Sequence, residues 1–120
     1  MQLELNEMIK PQYIYVMVRK DLPIWDQMVQ VGHACFDGGK HFSRKWKPET
    51  HLILLQVENE KELNEWQERL SEKEVKFTTF YEPDPALEID ENPMGYTALC
   101  TEPLKGRKRD IFKDCVMWVP

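Results

Sequence analysis

Two runs of consecutive β-favouring, largely apolar residues constrain this chain most: Tyr13–Val18 (Tyr-Ile-Tyr-Val-Met-Val) and His51–Val57 (His-Leu-Ile-Leu-Leu-Gln-Val). Neither alternates polar with apolar positions, so each reads as a strand buried on both faces. The stretch between them, from Trp25 to about Gly39, lacks proline and spaces its apolar residues as a helix does, with Gly38 and Gly39 as the expected stop. Strand, helix and strand in that order imply a parallel pair joined by a right-handed crossover, in a sheet sandwiched by helices.

The rest of the chain extends that plan. Asn59–Ser71 places Leu63, Trp66 and Leu70 at spacings of three and four among many charges, an amphipathic surface helix with Asn59 as its cap. Val75–Tyr81 and Gly95–Thr101 have strand composition, Leu104–Lys113 is a short helical stretch, and Cys115–Val119 reads as a terminal strand or an apolar cap. Strands and helices alternating over 120 residues predict a single α/β domain, 1–120.

Composition bounds the function. With 42% hydrophobic and 11% aromatic residues the chain can bury enough apolar surface to offset its ordering entropy, which excludes a disordered tail or linker. No apolar run is long enough to cross a bilayer, and Met1–Lys10 alternates acidic and apolar residues where a secretory signal would carry a basic end and an apolar block. The expectation is a cytoplasmic protein without membrane attachment. Cys35, Cys100 and Cys115 are odd in number and lack metal spacing, so no disulfide framework, metal or cofactor is expected.

A formal charge of -5 excludes a surface built throughout for nucleic acid and leaves only local sites. Acid concentrates in the second helix and in Glu82–Asn92, which holds five acids and no base. Base concentrates in Lys40–Lys47 and Lys105–Lys113. Arg44, Lys45, Arg107 and Arg109 in these segments are the candidate phosphate contacts. Trp46, interleaved with the first set as Phe42 is, either stacks on an exposed base or anchors the connector to the core.

On the first helix, Met28, Val31, Gly32, Cys35 and Phe36 share a broad apolar sector, expected to lie on the sheet. Asp26, Gln30, His33 and Asp37 form a polar stripe opposite, and Gly32 in the helix interior implies close packing or a function. Cys35 lies about 200° from His33 by rotation, which excludes a Cys-His nucleophile pair within the helix.

The run Val18-Arg19-Lys20-Asp21-Leu22, followed by Gln30-Val31-Gly32-His33-Ala34, resembles the opening of the type 2 peptidyl-tRNA hydrolases, in which a strand ends in Arg-x-Asp-Leu and the next helix carries Gly-Lys-x-Ala-Ala-Gln-x-x-His-Ala. Met94-Gly95-Tyr96-Thr97-Ala98-Leu99, running to Glu102-Pro103, looks like that family's last core strand. The resemblance spans a core of about 13–112 and implies a three-layer α/β/α sandwich on a central four-stranded mixed sheet, a homodimer, and a tRNA or nucleotide-containing ligand.

Departures are equally specific. Aligned on Gln30, the family's catalytic lysine falls on Asp26, and the Asp-Ala-Gly-x-Thr segment after the third strand has Glu82-Pro83-Asp84 as its nearest counterpart. The pattern is similar to a divergent branch, the peptidyl-tRNA hydrolase domain-containing proteins. Carried over residue by residue, the resemblance puts Gln30 and His33 at the catalytic site, Asp26 at the position of its lysine and Glu82 in place of its acid, with Arg19 at the rim of a cleft. By helix geometry the stripe is either a site in which His33 is a base that Asp37 orients or a solvated helix face. Asp21 pairs with Arg19 or a neighbour in fixing the turn. Two functions follow as expectations: hydrolysis of the ester of peptidyl-tRNA or a related aminoacyl ester, or non-catalytic capture of tRNA, a nucleotide or a protein partner by the same cleft.

Overall fold

A computed structural model describes residues 10–86 and 91–120. Its elements are β1 (Tyr13–Arg19), α1 (Ile24–His41), β2 (His51–Val57), α2 (Glu60–Glu72), β3 (Phe77–Glu82), β4 (Gly95–Thr101), a 3₁₀ helix (Gly106–Phe112) and β5 (Val116–Met117). The sheet runs β3-β4-β1-β2-β5. The β1–β2 pair is parallel, from Tyr13 opposite His51 to Arg19 opposite Val57, and α1 supplies the crossover. All other pairings of these strands are antiparallel.

The mixed sheet has five strands where four are expected. The addition is the tail, whose Met117 and Val116 pair with Leu55 and Gln56. Period-two alternation sorts β1 between two cores. Tyr15 and Met17 join Leu55, Val57, Leu63, Leu70, Leu99 and Phe112 under α2 and the 3₁₀ helix. Ile14, Val16 and Val18 join Ala34, Ala98 and Cys100 under α1. Three layers result, with α1 alone on its face. Asn59 caps α2 as its position suggests, its side chain accepting from the Glu62 N–H at 3.0 Å.

The first helix differs from expectation in length and in orientation. It runs through Gly38 and Gly39 to His41. Gly38 packs against β4 inside the helix, where a side chain would collide: a Cβ would lie 2.3 Å from Cys100 Sγ. The buried face is Asp26, Gln27, Gln30, Ala34 and Gly38, not the apolar sector. Met28 is 67% exposed and Phe36 77%, and a Cβ on Gly32 would meet nothing within 4 Å. The packed face is small at Ala34 and Gly38, so the backbone approaches the sheet closely, and its two glutamines bury no unpaired amide. Gln27 Nε2 donates to the Leu22 carbonyl at 2.7 Å, and its Oε1 accepts from Trp118 Nε1 at 2.7 Å. Burial of such paired amides costs little.

Candidate functional site

The β3–β4 ladder shifts register between Phe80, opposite Ala98, and Tyr81, opposite Tyr96, leaving Thr97 as an extra residue. A bulge of this kind re-aims a side chain. Here it turns the Thr97 hydroxyl to α1, where it donates to Gln30 Oε1 at 2.7 Å. Gln30 Nε2 donates in turn to Glu82 Oε2 at 3.2 Å, and Glu82 Oε1 accepts from the Asp84 N–H at 3.3 Å. Thr97 and Gln30 are buried and Glu82 is half-buried. A fixed relay therefore runs from the sheet interior to a carboxylate at the end of β3. Beside it His33 stacks on Phe80, with ring centroids 4.2 Å apart and planes 3° from parallel.

The expected polar stripe is thus divided. Asp26 and Gln30 face the sheet, while His33 is exposed and makes no hydrogen bond among the described residues, to Asp37 or to any other group. His33 and Glu82 are drawn together through Phe80, a neighbour of Glu82 on β3. Thr97 is the site residue that sequence reading misses, because a bulge leaves no period-two signature and the alternation of Gly95–Thr101 assigns Thr97 to the opposite face from Ala98.

At the carboxyl end of β1, Arg19 is committed to structure. Its Nε and Nη2 hold both oxygens of Asp21, each at 2.9 Å, and its Nη1 donates to the carbonyls of Met94 and Tyr96. The pair fixes the β1–α1 turn to the start of β4. That leaves Arg19 no free donor edge for a phosphate. Trp46 is half-buried against the α1-side core and Phe42 is buried, so both anchor the connector. Trp46 also lines an apolar groove of about 630 Å³ with Gly32, Cys35, Phe36, Gly39, Lys40 and Leu52.

The two basic segments meet at the other end of the sheet. Lys10, Lys45, Lys105, Arg107 and Lys108 surround a basin of about 530 Å³ with Glu102 in its wall. By strand length it lies about 15–20 Å from Thr97. Lys45 pairs with Glu102 at 2.5 Å. Burial pushes the Glu102 carboxyl up, but the Lys45 hydrogen bond, the Lys76 N–H and the charges of Lys45 and Lys108 outweigh it and hold the pKa below 4.5. Arg107 and Lys108 are exposed at the rim, and Arg44 is exposed on the connector. Arg109 is turned inward, donating to Tyr15 Oη at 2.8 Å and lying 3.4 Å from the centre of the Tyr13 ring.

The acidic loop after Glu82 falls partly on residues 87–90, outside those described. All three cysteines are free, and burial raises each thiol, Cys100 to about 12 and Cys115 to about 11, which disfavours the thiolate. Among the described residues no cluster of three His, Cys, Asp or Glu can hold a metal ion, and no helix is long and apolar enough to cross a membrane.

No protein of curated function matches the chain. Among solved structures, a protein of unknown function from Agrobacterium tumefaciens superposes with a TM-score of 0.64 at 11% identity, covering 90% of this chain and 98% of that one, a likeness of fold alone. Residues 13–112, from the first residue of β1 to the last of the 3₁₀ helix, match the model of the family Peptidyl-tRNA hydrolase PTH2. With its Arg-x-Asp turn, its Gln-x-x-His helix and this match over most of its length, the chain belongs to the Peptidyl-tRNA hydrolase PTH2 family.

Proposed function

We propose that the chain is a cytoplasmic, divergent member that hydrolyses the ester of peptidyl-tRNA or a related aminoacyl ester at the Thr97–Gln30–Glu82 relay. The observation that carries this reading is the relay itself. A carboxylate held by two donors, a buried amide that cannot rotate and a stacked imidazole one side chain away form a preorganised polar group at the edge of a sheet. Ester hydrolysis needs a base for water and fixed dipoles near the developing oxyanion. Glu82 is the group placed to take the proton from water, with Gln30 positioning it and His33 at the open side as the second proton carrier. The basin of Lys45, Lys105, Arg107 and Lys108 would hold tRNA phosphates.

A second copy is the proposed cover for the exposed face of α1. Phe36 projects one helical turn from Gly32, where there is open space, so two α1 helices related by a two-fold axis can seat each Phe36 over the other's Gly32. The competing reading, capture of tRNA, a nucleotide or a protein partner without turnover, draws on Asp26 at the position where the family carries a lysine.

Purified protein incubated with tRNA charged with a free or an N-acetylated amino acid decides between them. Ester hydrolysis is expected, lowered by about 10²-fold or more in Glu82→Gln and about 10-fold or more in His33→Ala. Binding of charged tRNA with no turnover would establish the capture reading instead.

A further inference from the structure

The end of the sheet opposite the relay carries a stacked column that lies outside the proposed reaction. Tyr13 and His51 are the first residues of β1 and β2 and stand opposite each other in the parallel pair, so the strands themselves hold their rings together. The ring centroids are 4.9 Å apart and the planes 26° from parallel. The Arg109 guanidinium lies 3.4 Å from the centre of the same Tyr13 ring and donates to Tyr15 Oη, which fixes the cation on the ring. His51 N–H donates to the Gln12 carbonyl at 2.9 Å, and Tyr13 pairs through both its backbone groups with Leu104 at 2.8 Å. The column is anchored through the backbone of both strands, while His51 itself is exposed.

Two adjoining cavities meet here. His51 lines one of about 390 Å³ with Lys10, Gln12, Lys47, Glu49 and Thr50. Lys10 also stands in the wall of the basin of about 530 Å³ that holds Lys45, Arg107 and Lys108, and Leu104, the backbone partner of Tyr13, stands in that wall too. An imidazole stacked on a ring and open to a cavity therefore adjoins the place where the two basic segments come together. Lys47, Arg107 and Lys108 are exposed around it.

We propose that the two cavities form one subsite for an unpaired nucleotide of a nucleic acid strand, its base stacked on His51 and its flanking phosphates held by Lys47 on one side and by Arg107 and Lys108 on the other. Every base has a π-face, so stacking on a histidine that continues an aromatic column requires no particular sequence. A base paired within a duplex presents its faces to its neighbours, which makes the column selective for unpaired nucleotides. Because the sheet holds the column in place, little side-chain freedom is lost on binding. An acidic peptide would satisfy the cations but brings no planar group to extend the stack. The inference rests on the proposed role of the basin as a phosphate site and requires no turnover at the relay.

The test compares a single-stranded hexanucleotide of adenosine with a ribose-phosphate chain of equal length that lacks the bases, each titrated into the full chain by calorimetry. The base-bearing strand should bind about tenfold or more tightly. His51→Ala should abolish that preference, and His51→Tyr, which keeps a ring in the column, should retain it, both variants being confirmed as folded by circular dichroism. Lys47→Glu with Arg107→Glu should weaken both strands alike, since the phosphates are common to the two. Equal affinities in the parent protein, no binding of either strand, a preference that survives His51→Ala, a loss as large in His51→Tyr, or displacement of the strand by hexaglutamate at equal affinity would overturn the inference. Unchanged affinities in the charge-reversed variant would remove the basin as a phosphate site and the inference with it. A preference that depends on His51, without release of amino acid from charged tRNA, would remove the hydrolase reading alone. Release with equal affinities would remove the inference alone.

Discussion

At the scale of single residues, the two glycines of α1 show what packing adds to pattern. Gly38 faces Cys100 and Gly32 faces open space. Gly38→Ala should destabilise the fold by about 1–3 kcal/mol in urea unfolding, with part of the loss recovered when Cys100→Ala is added, since the second change removes the sulfur 2.3 Å from the new Cβ but keeps the Cys100 Cβ 2.9 Å from it. Gly32→Ala should stabilise it by up to about 1 kcal/mol, the ordinary gain of alanine over glycine in a helix. Glu102 makes a prediction of a different kind. Its carboxyl is lowered in the folded protein, so its contribution to stability is complete above the usual 4.5 and is lost as pH falls through the depressed value. Glu102→Gln should therefore cost about 1–3 kcal/mol at neutral pH and flatten the acid limb of the stability profile. These residues are legible in the sequence only as types. The pairing of Arg19 with Asp21 is among the readings that their spacing of two allows. The side-chain partners Glu82 of Gln30, Lys45 of Glu102 and Tyr15 of Arg109 are not, because each lies more than fifty residues away.

At the scale of elements, β1, β2, α2 and β4 follow from local pattern, and the reason is that each has one environment dictated by its own periodicity. The helix α1 does not. Its apolar sector is real, but a hydrophobic stripe says only that something apolar will cover it, not that the covering surface belongs to the same chain. The sheet under α1 accepts the small and amide-bearing face because close approach of Ala34 and Gly38 and fully paired glutamines make that face the better fit. The site depends on this inversion. With the apolar sector inward, Gln30 could not reach both Thr97 and Glu82. If a second copy covers the outer face, sedimentation should show a dimer that Phe36→Glu converts to a folded monomer, whereas an unchanged sedimentation profile in that variant would place the interface elsewhere. The bulge at Thr97 is the other part of the site that local pattern conceals, since it arises only where β3 and β4 meet.

Across the whole molecule, charge separates along β4, with the Glu82 and Asp26 carboxylates near one end and the Lys45–Lys108 basin at the other. A net charge of -5 restricts nucleic acid contacts to local sites, and the fold gathers the two basic segments into one such place. Binding of uncharged tRNA should weaken with rising salt, and Arg107→Glu with Lys108→Glu should reduce both the affinity and the slope of that dependence, by about 0.7–0.9 for each phosphate no longer neutralised. Salt-independent binding would remove the basin from the account. The central claim is that the Thr97–Gln30–Glu82 relay performs ester hydrolysis, and the most direct measurement is the rate of amino acid release from charged tRNA, free or N-acetylated, by the parent protein and by Glu82→Gln at matched tRNA affinity. The account predicts release by the parent that falls about 10²-fold or more in the variant while tRNA binding is unchanged. Equal rates in the two proteins, or no release by either, would contradict it.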